Sequence, residues 1–183
     1  MSERRAEEEF LKRMQKAREY WERASFYLKN YENDRIKSEE KASEDLWGVV
    51  SCLMNAISVV ELGKPQPRHG NQREFAMQFL ISEFEDGKEL FKIYRKAEEL
   101  HSNFYHAFLE KDELEELWAD VLRLVKRLDN AFRESSKGFK AVRSKIKIIF
   151  SNAQNWWHQR SDFNLAEGVP LRAKCFIFFL SNF

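Results

Sequence analysis

Apolar residues recur every third or fourth position along most of this chain, and nowhere do they alternate for long with polar ones. That spacing is helical, because residues three and four apart share a helix face whereas a half-buried strand alternates. Between Glu3 and Tyr31, the residues Phe10, Met14, Ala17, Trp21, Ala24, Leu28 and Tyr31 make one stripe flanked by Glu, Lys and Arg. The pattern predicts a helix with one packed and one solvated face. A second helix is predicted from Asp34 to Leu62, with Ala42, Leu46, Val49, Leu53, Ile57 and Val60 in register. Gly63 ends it, and Pro65 and Pro67 prevent its continuation. Gly48 inside this helix costs about 1 kcal/mol relative to Ala, and one reason to tolerate it is close approach of another backbone.

Residues 63–73 read as the main loop, followed by a short helical piece with Phe75, Phe79 and Leu80 on one side. A third long helix is predicted over 88–109, with Leu90, Tyr94, Ala97, His101, Phe104 and Phe108 on its stripe. A last one is predicted from Asp112, where Glu115 completes a capping-box pattern, and its apolar face runs from Leu114 to Phe132. Long amphipathic helices with short connections predict an all-α fold, an antiparallel four- to five-helix bundle spanning residues 1–132. At Ser135-Ser136-Lys137-Gly138 the character changes. Residues 133–183 read as a basic, aromatic C-terminal extension that packs on the bundle or a dimer, with a separate amphipathic helix from Lys140 to Trp157.

Composition supports this picture and divides it. Six Gly and three Pro in 183 residues are too few for an all-β chain rich in turns, and 43% hydrophobic residues suffice for one packed domain. The net charge of +1 conceals two regions: residues 133–183 carry nine Lys/Arg against three Asp/Glu, and residues 1–132 carry 22 against 27. Any general attraction to phosphate must therefore come from the extension. Two cysteines, Cys52 and Cys175, make no disulfide framework or zinc motif. The charged amino terminus and the short apolar run from Cys175 to Leu180 predict a cytoplasmic protein without a membrane segment.

No phosphate-binding glycine loop, nucleophile elbow or metal motif is present in the sequence, so neither a cofactor nor a metal is expected. The densest polar and aromatic cluster is Leu100-His101-Ser102-Asn103-Phe104-Tyr105-His106. His106 and Asn103 share a helix face, opposite His101 and Tyr105. His106 reads either as a general base or as a partly exposed histidine bonded to a neighbour. His101 reads as a seam histidine or as a helper. In the loop, Arg68, His69 and Arg73 are candidates for phosphate or RNA contact, or are a solvated connection. Trp156, Trp157, His158 and nearby Lys145, Lys147 and Arg160 read as a base-stacking patch or as packing.

Tyr27-Leu28-Lys29, the run from Lys37 to Trp47, and the run from Ala97 to Tyr105 resemble the archaeal PaREP-type proteins of the HEPN superfamily. The resemblance covers roughly residues 17–132, and Leu100-His101-Ser102-Asn103-Phe104-Tyr105 carries its most specific motif, Leu-His-x-Asn-Phe-Tyr. It implies a helical bundle that pairs into a homodimer, and either a ribonuclease, a nucleotide binder or a non-catalytic partner. Active members carry an Arg four to six residues before a His at the dimer cleft. Here Arg95 and His101 match that interval, whereas the position five before His106 holds His101, and Ala107-Phe108 stands where His-x-Tyr is usual.

Two readings follow. One is a dimeric domain that binds RNA or nucleotide, with metal-independent endoribonuclease activity or as a degenerate relative. In it His106 is the base, Asn103 orients it or meets phosphate, Tyr105 and His101 assist, and Arg95 stabilises charge. The other is a non-catalytic protein-association module, antitoxin-like or a scaffold, without a nucleic-acid role.

Overall fold

Burial concentrates on the second helix. A computed structural model describes residues 3–106 and 108–158, with side chains described at residue 5 and over residues 8–106 and 108–136. Five helices follow in order among these residues: α1 (Glu3–Asp34), α2 (Glu39–Leu62), α3 (His69–Glu83), α4 (Gly87–His106) and α5 (Lys111–His158). No strand occurs among them, and the fold is an all-α helical bundle. The chain divides into two compact units, Leu11–Ser136 and Met1–Phe10 with Lys137–Phe183. Cys175, Arg160 and the apolar end, together with the side chains of Lys145, Lys147, Trp156, Trp157 and His158, lie outside the described residues, and so does the packing expected of the extension.

In the first unit, α2 is buried without interruption from Cys52 to Val60 and packs on α3 and α4, which also pack on each other. By length and composition alone α2 would suffice to cross a membrane, but 72% of its apolar stretch is buried inside the protein. Each Leu, Ile or Val so enclosed contributes roughly 1.5–3 kcal/mol. Across the bundle, the Tyr31 ring meets Trp118 of α5 edge-on at 5.8 Å, and the Trp118 indole N–H donates to Ser43 Oγ at 3.2 Å. Trp21 stacks on Phe132 and donates to Asp129 at 2.7 Å. The stripe expected on α1 is thus a contact face, with Ala17, Ala24 and Tyr31 buried.

Several boundaries differ from expectation. Asp34 ends α1 instead of beginning α2, because its carbonyl accepts from the Lys37 and Ser38 N–H groups. Ser38 is the better start: its Oγ accepts from Lys41 N–H at 3.3 Å, with Glu39 and Glu40 in the first turn. Bonding to its own N–H and then to the Ser38 hydroxyl holds the Glu40 carboxyl below its ordinary range. At the other end, Gly63 takes the left-handed conformation, φ 75°, and the Arg13 guanidinium donates to the carbonyls of Val59 and Val60.

The expected loop 63–73 shrinks to residues 63–68, because His69 through Arg73 form the first turn of α3. Gly87 lies within α4 and sits against α3 so closely that a Cβ would fall 2.0 Å from the Leu80 carbonyl oxygen. Helix α4 stops at His106, not 109, and α5 starts at Lys111. The capping side chain is Glu113, whose carboxylate accepts the Glu110 N–H at 3.1 Å; Asp112 and Glu115 play no such part. Helix α5 continues through Ser135–Gly138 to His158, so the expected break and separate helix are replaced by one helix. One Gly costs only about 1 kcal/mol, which an already propagating helix tolerates.

Candidate functional site

Three helices of the Leu11–Ser136 unit bring aromatic, imidazole and charged groups to one face. From α2 come Glu44 and Trp47, three residues apart. From the first turn of α3 come His69 and Arg73, four apart. From α4 come Tyr94, Arg95, Glu98, His101 and Tyr105, which lie on neighbouring faces of successive turns.

Trp47, 4% exposed, is the floor. The His69 ring lies nearly parallel to it at 5.7 Å, and His101 lies tilted at 6.3 Å. The two imidazoles stack on each other with centroids 5.5 Å apart and planes at 25°. Tyr105 stands edge-on to His101 at 5.4 Å. Glu44 Oε2 lies 2.6 Å from His101 Nδ1, with the His101 side chain 30% and the Glu44 side chain 35% exposed. A neutral His101 that donates Nδ1–H to Glu44 keeps its Nε2 lone pair for another partner.

Toward the preceding turn of α4, Glu98 receives two guanidinium groups. Arg73 binds it through Nε, at 3.2 and 3.0 Å, and through Nη2 at 3.1 Å; Arg95 Nη1 lies 3.2 Å from the same carboxylate. The Glu98 hydrogen bond pushes the Arg73 pKa up further, so this cation is permanent. Glu98 is largely buried at 12% exposure, whereas Arg73 and Arg95 remain 44% and 46% exposed. Two cations on one carboxylate leave surplus positive charge beside the imidazoles.

A buried polar ladder fixes α3 beneath this face. Gln72 Nε2 donates to the Ser51 carbonyl and hydroxyl, both at 3.1 Å, and the Tyr94 hydroxyl donates to Gln72 Oε1 at 3.3 Å. Burial, reinforced by the Glu98 charge, pushes the Tyr94 phenol up, so it remains a donor. Asn55 and Ser58 hold the preceding loop through Gln66 N–H and the Lys64 carbonyl.

Of the candidates named from sequence, His69, His101, Tyr105, Arg73 and Arg95 come to this face. Arg68 is exposed at the N-cap of α3, where its side chain makes no capping bond. Asn103 is buried at 1% exposure and its Oδ1 accepts the N–H groups of Phe108 and Leu109 at 2.8 and 2.9 Å, so it closes the α4–α5 turn. His106 is exposed at the last position of α4, with a tilted ring contact to Tyr105 at 6.5 Å. Glu44, Trp47, Glu98 and Gln72 carry no expected role in the sequence. The three-residue interval of Glu44 and Trp47 was a usable signal, because it places both on one face of α2. Among the described residues no group of three or more His, Cys, Asp or Glu is placed to hold a metal ion.

Compared with known proteins, the chain matches no family model, no curated protein and no solved structure.

Proposed function

We propose that this chain is a HEPN-like, homodimeric helical domain that binds RNA at the Trp47–His69–His101 face and cleaves it without a metal. The observation that carries the reading is His101, held by Glu44 at 2.6 Å with Arg95 and Arg73 gathered on Glu98 one turn away. Cleavage of RNA by its own 2′-hydroxyl needs a base for that hydroxyl and fixed positive charge for the phosphorane. His101 supplies the first through Nε2, and the paired guanidinium groups supply the second. This moves the base from His106 to His101 and agrees with the Arg95–His101 interval that the resemblance implies. Tyr105, 64% exposed, offers a ring on which an unpaired base stacks.

The test is incubation with end-labelled RNA in the presence of a chelator, with binding measured in parallel across a salt series. Expected are cleavage by the parent, and reduced cleavage with shallower salt dependence for Arg95→Ala and Arg73→Ala. Neither cleavage nor salt-sensitive binding by the parent would sink the reading.

The protein-association reading is favoured by a different observation: Phe104, Tyr105 and Phe108 are 36%, 64% and 53% exposed at the end of α4. Aromatic side chains grouped on a surface are characteristic of contacts with another chain. Sizing of the protein in solution separates a homodimer from a monomer awaiting a different partner.

A further inference from the structure

We infer that His69 is the general acid of the proposed cleavage, a role that rests on the reading above and adds a second catalytic histidine to it. The two imidazoles come from different helices, yet their rings are stacked 5.5 Å apart. That separation lets one phosphodiester present its entering oxygen to one ring and its leaving oxygen to the other. The rings are not equivalent. His101 Nδ1 is committed to Glu44, which fixes the tautomer that makes Nε2 a base. His69 is exposed, held by stacking on Trp47 and His101, and among the described residues neither of its nitrogens is engaged in a hydrogen bond. It is therefore open to carry a proton toward a leaving group.

The step balances without a co-reactant. His101 Nε2 takes the proton of the 2′-hydroxyl as O2′ forms a bond to phosphorus. The P–O5′ bond breaks, its electron pair leaves with O5′, and His69 gives O5′ a proton. The products are a 2′,3′-cyclic phosphate and a 5′-hydroxyl. His101 ends protonated and His69 neutral, and exchange with water resets both. Among the described residues, the charged and titratable groups nearest the pair are Glu44 from α2, Arg73 from α3, and Arg95, Glu98 and Tyr105 from α4, with Arg68 next to His69 at the N-cap of α3. Glu44 is engaged by His101 and Glu98 by both guanidinium groups, so the fixed positive charge that a phosphate meets beside the pair comes from Arg73 and Arg95.

The experiment compares natural RNA with the same oligonucleotide carrying sulfur in place of the bridging O5′ at the scissile bond. A thiolate leaves without a proton, so it has no need of an acid. His69→Asn is expected to slow cleavage of natural RNA about 100-fold or more and to cleave the thio substrate close to the parent rate. His101→Ala is expected to be slow on both, and the His69→Asn pH profile loses its alkaline limb. Equal slowing of both substrates by His69→Asn makes His69 merely structural and overturns the inference. Unchanged cleavage of natural RNA by that variant overturns it too, while leaving the ribonuclease reading in place. Failure of the parent on both substrates overturns the two together.

Discussion

One added methyl group distinguishes two glycines that the sequence presents alike. At Gly87 the new carbon would lie 2.0 Å from a carbonyl oxygen of α3 and 2.7 Å from the Ile81 Cα, both backbone. Gly87→Ala should therefore destabilise by roughly 2–3 kcal/mol, measured by denaturant unfolding. At Gly48 the nearest atoms belong to the Tyr27 ring, at 2.9–3.1 Å, and a side chain can turn aside. Gly48→Ala in a Tyr27→Ala background should be stabilising by about 1 kcal/mol, the intrinsic helix gain, whereas in the parent it should not be. The close approach expected at Gly48 is thus to a ring, and the close backbone approach occurs at Gly87 instead. Titration offers another residue-scale check. Burial, then the Asp34 charge, raises the Asp45 pKa above its ordinary 3.8. A group raised in the folded state contributes stability below its unfolded pKa and loses it as pH rises through the folded value. Asp45→Asn should consequently stabilise near pH 7 by less than about 1 kcal/mol after solvent screening, with the gain vanishing in acid. Burial likewise pushes the Cys52 thiol up to about 11. In a Cys175→Ser background, Cys52 should react with a thiol reagent at pH 8 slowly when folded and rapidly in denaturant.

At the scale of elements, periodicity located the long helices but divided α5 in two and misplaced most of their ends. A stripe of apolar residues reports which face packs, but a terminus is set by whichever polar group satisfies the orphan N–H and C=O groups. Ser38 and Glu113 do this in preference to Asp34 and Glu115, and sequence alone offers all four. The start of α3 was hidden for a different reason. His69-Gly70-Asn71 are weak helix formers, and what holds them is the bonding of buried Gln72 to Ser51 and Tyr94, which lie in other helices. Asn103 shows the same limitation: in sequence it neighbours His101 and His106, yet its carboxamide closes a turn. Asn103→Ala should lower stability by roughly 1–3 kcal/mol, since two N–H groups lose their acceptor, and circular dichroism melts would reveal it.

Across the whole molecule, the bundle was legible because it depends on faces, which a periodic sequence declares. The candidate site was legible only in part. His101, Tyr105 and Arg95 lie within one short run of α4, but Glu44 lies 57 residues from His101, and His69 and Arg73 belong to a stretch that reads as loop. Only packing of α2, α3 and α4 brings them together. The same packing separates the two histidines of α4, placing one against Glu44 and His69 and the other at an exposed helix end. The most direct measurement is therefore the initial rate of RNA cleavage, in chelator, by His101→Ala beside His106→Ala. A loss of about 100-fold or more in the first, with the second within a few-fold of the parent, is expected. A full-rate His101→Ala variant, or loss confined to His106→Ala, would contradict the site.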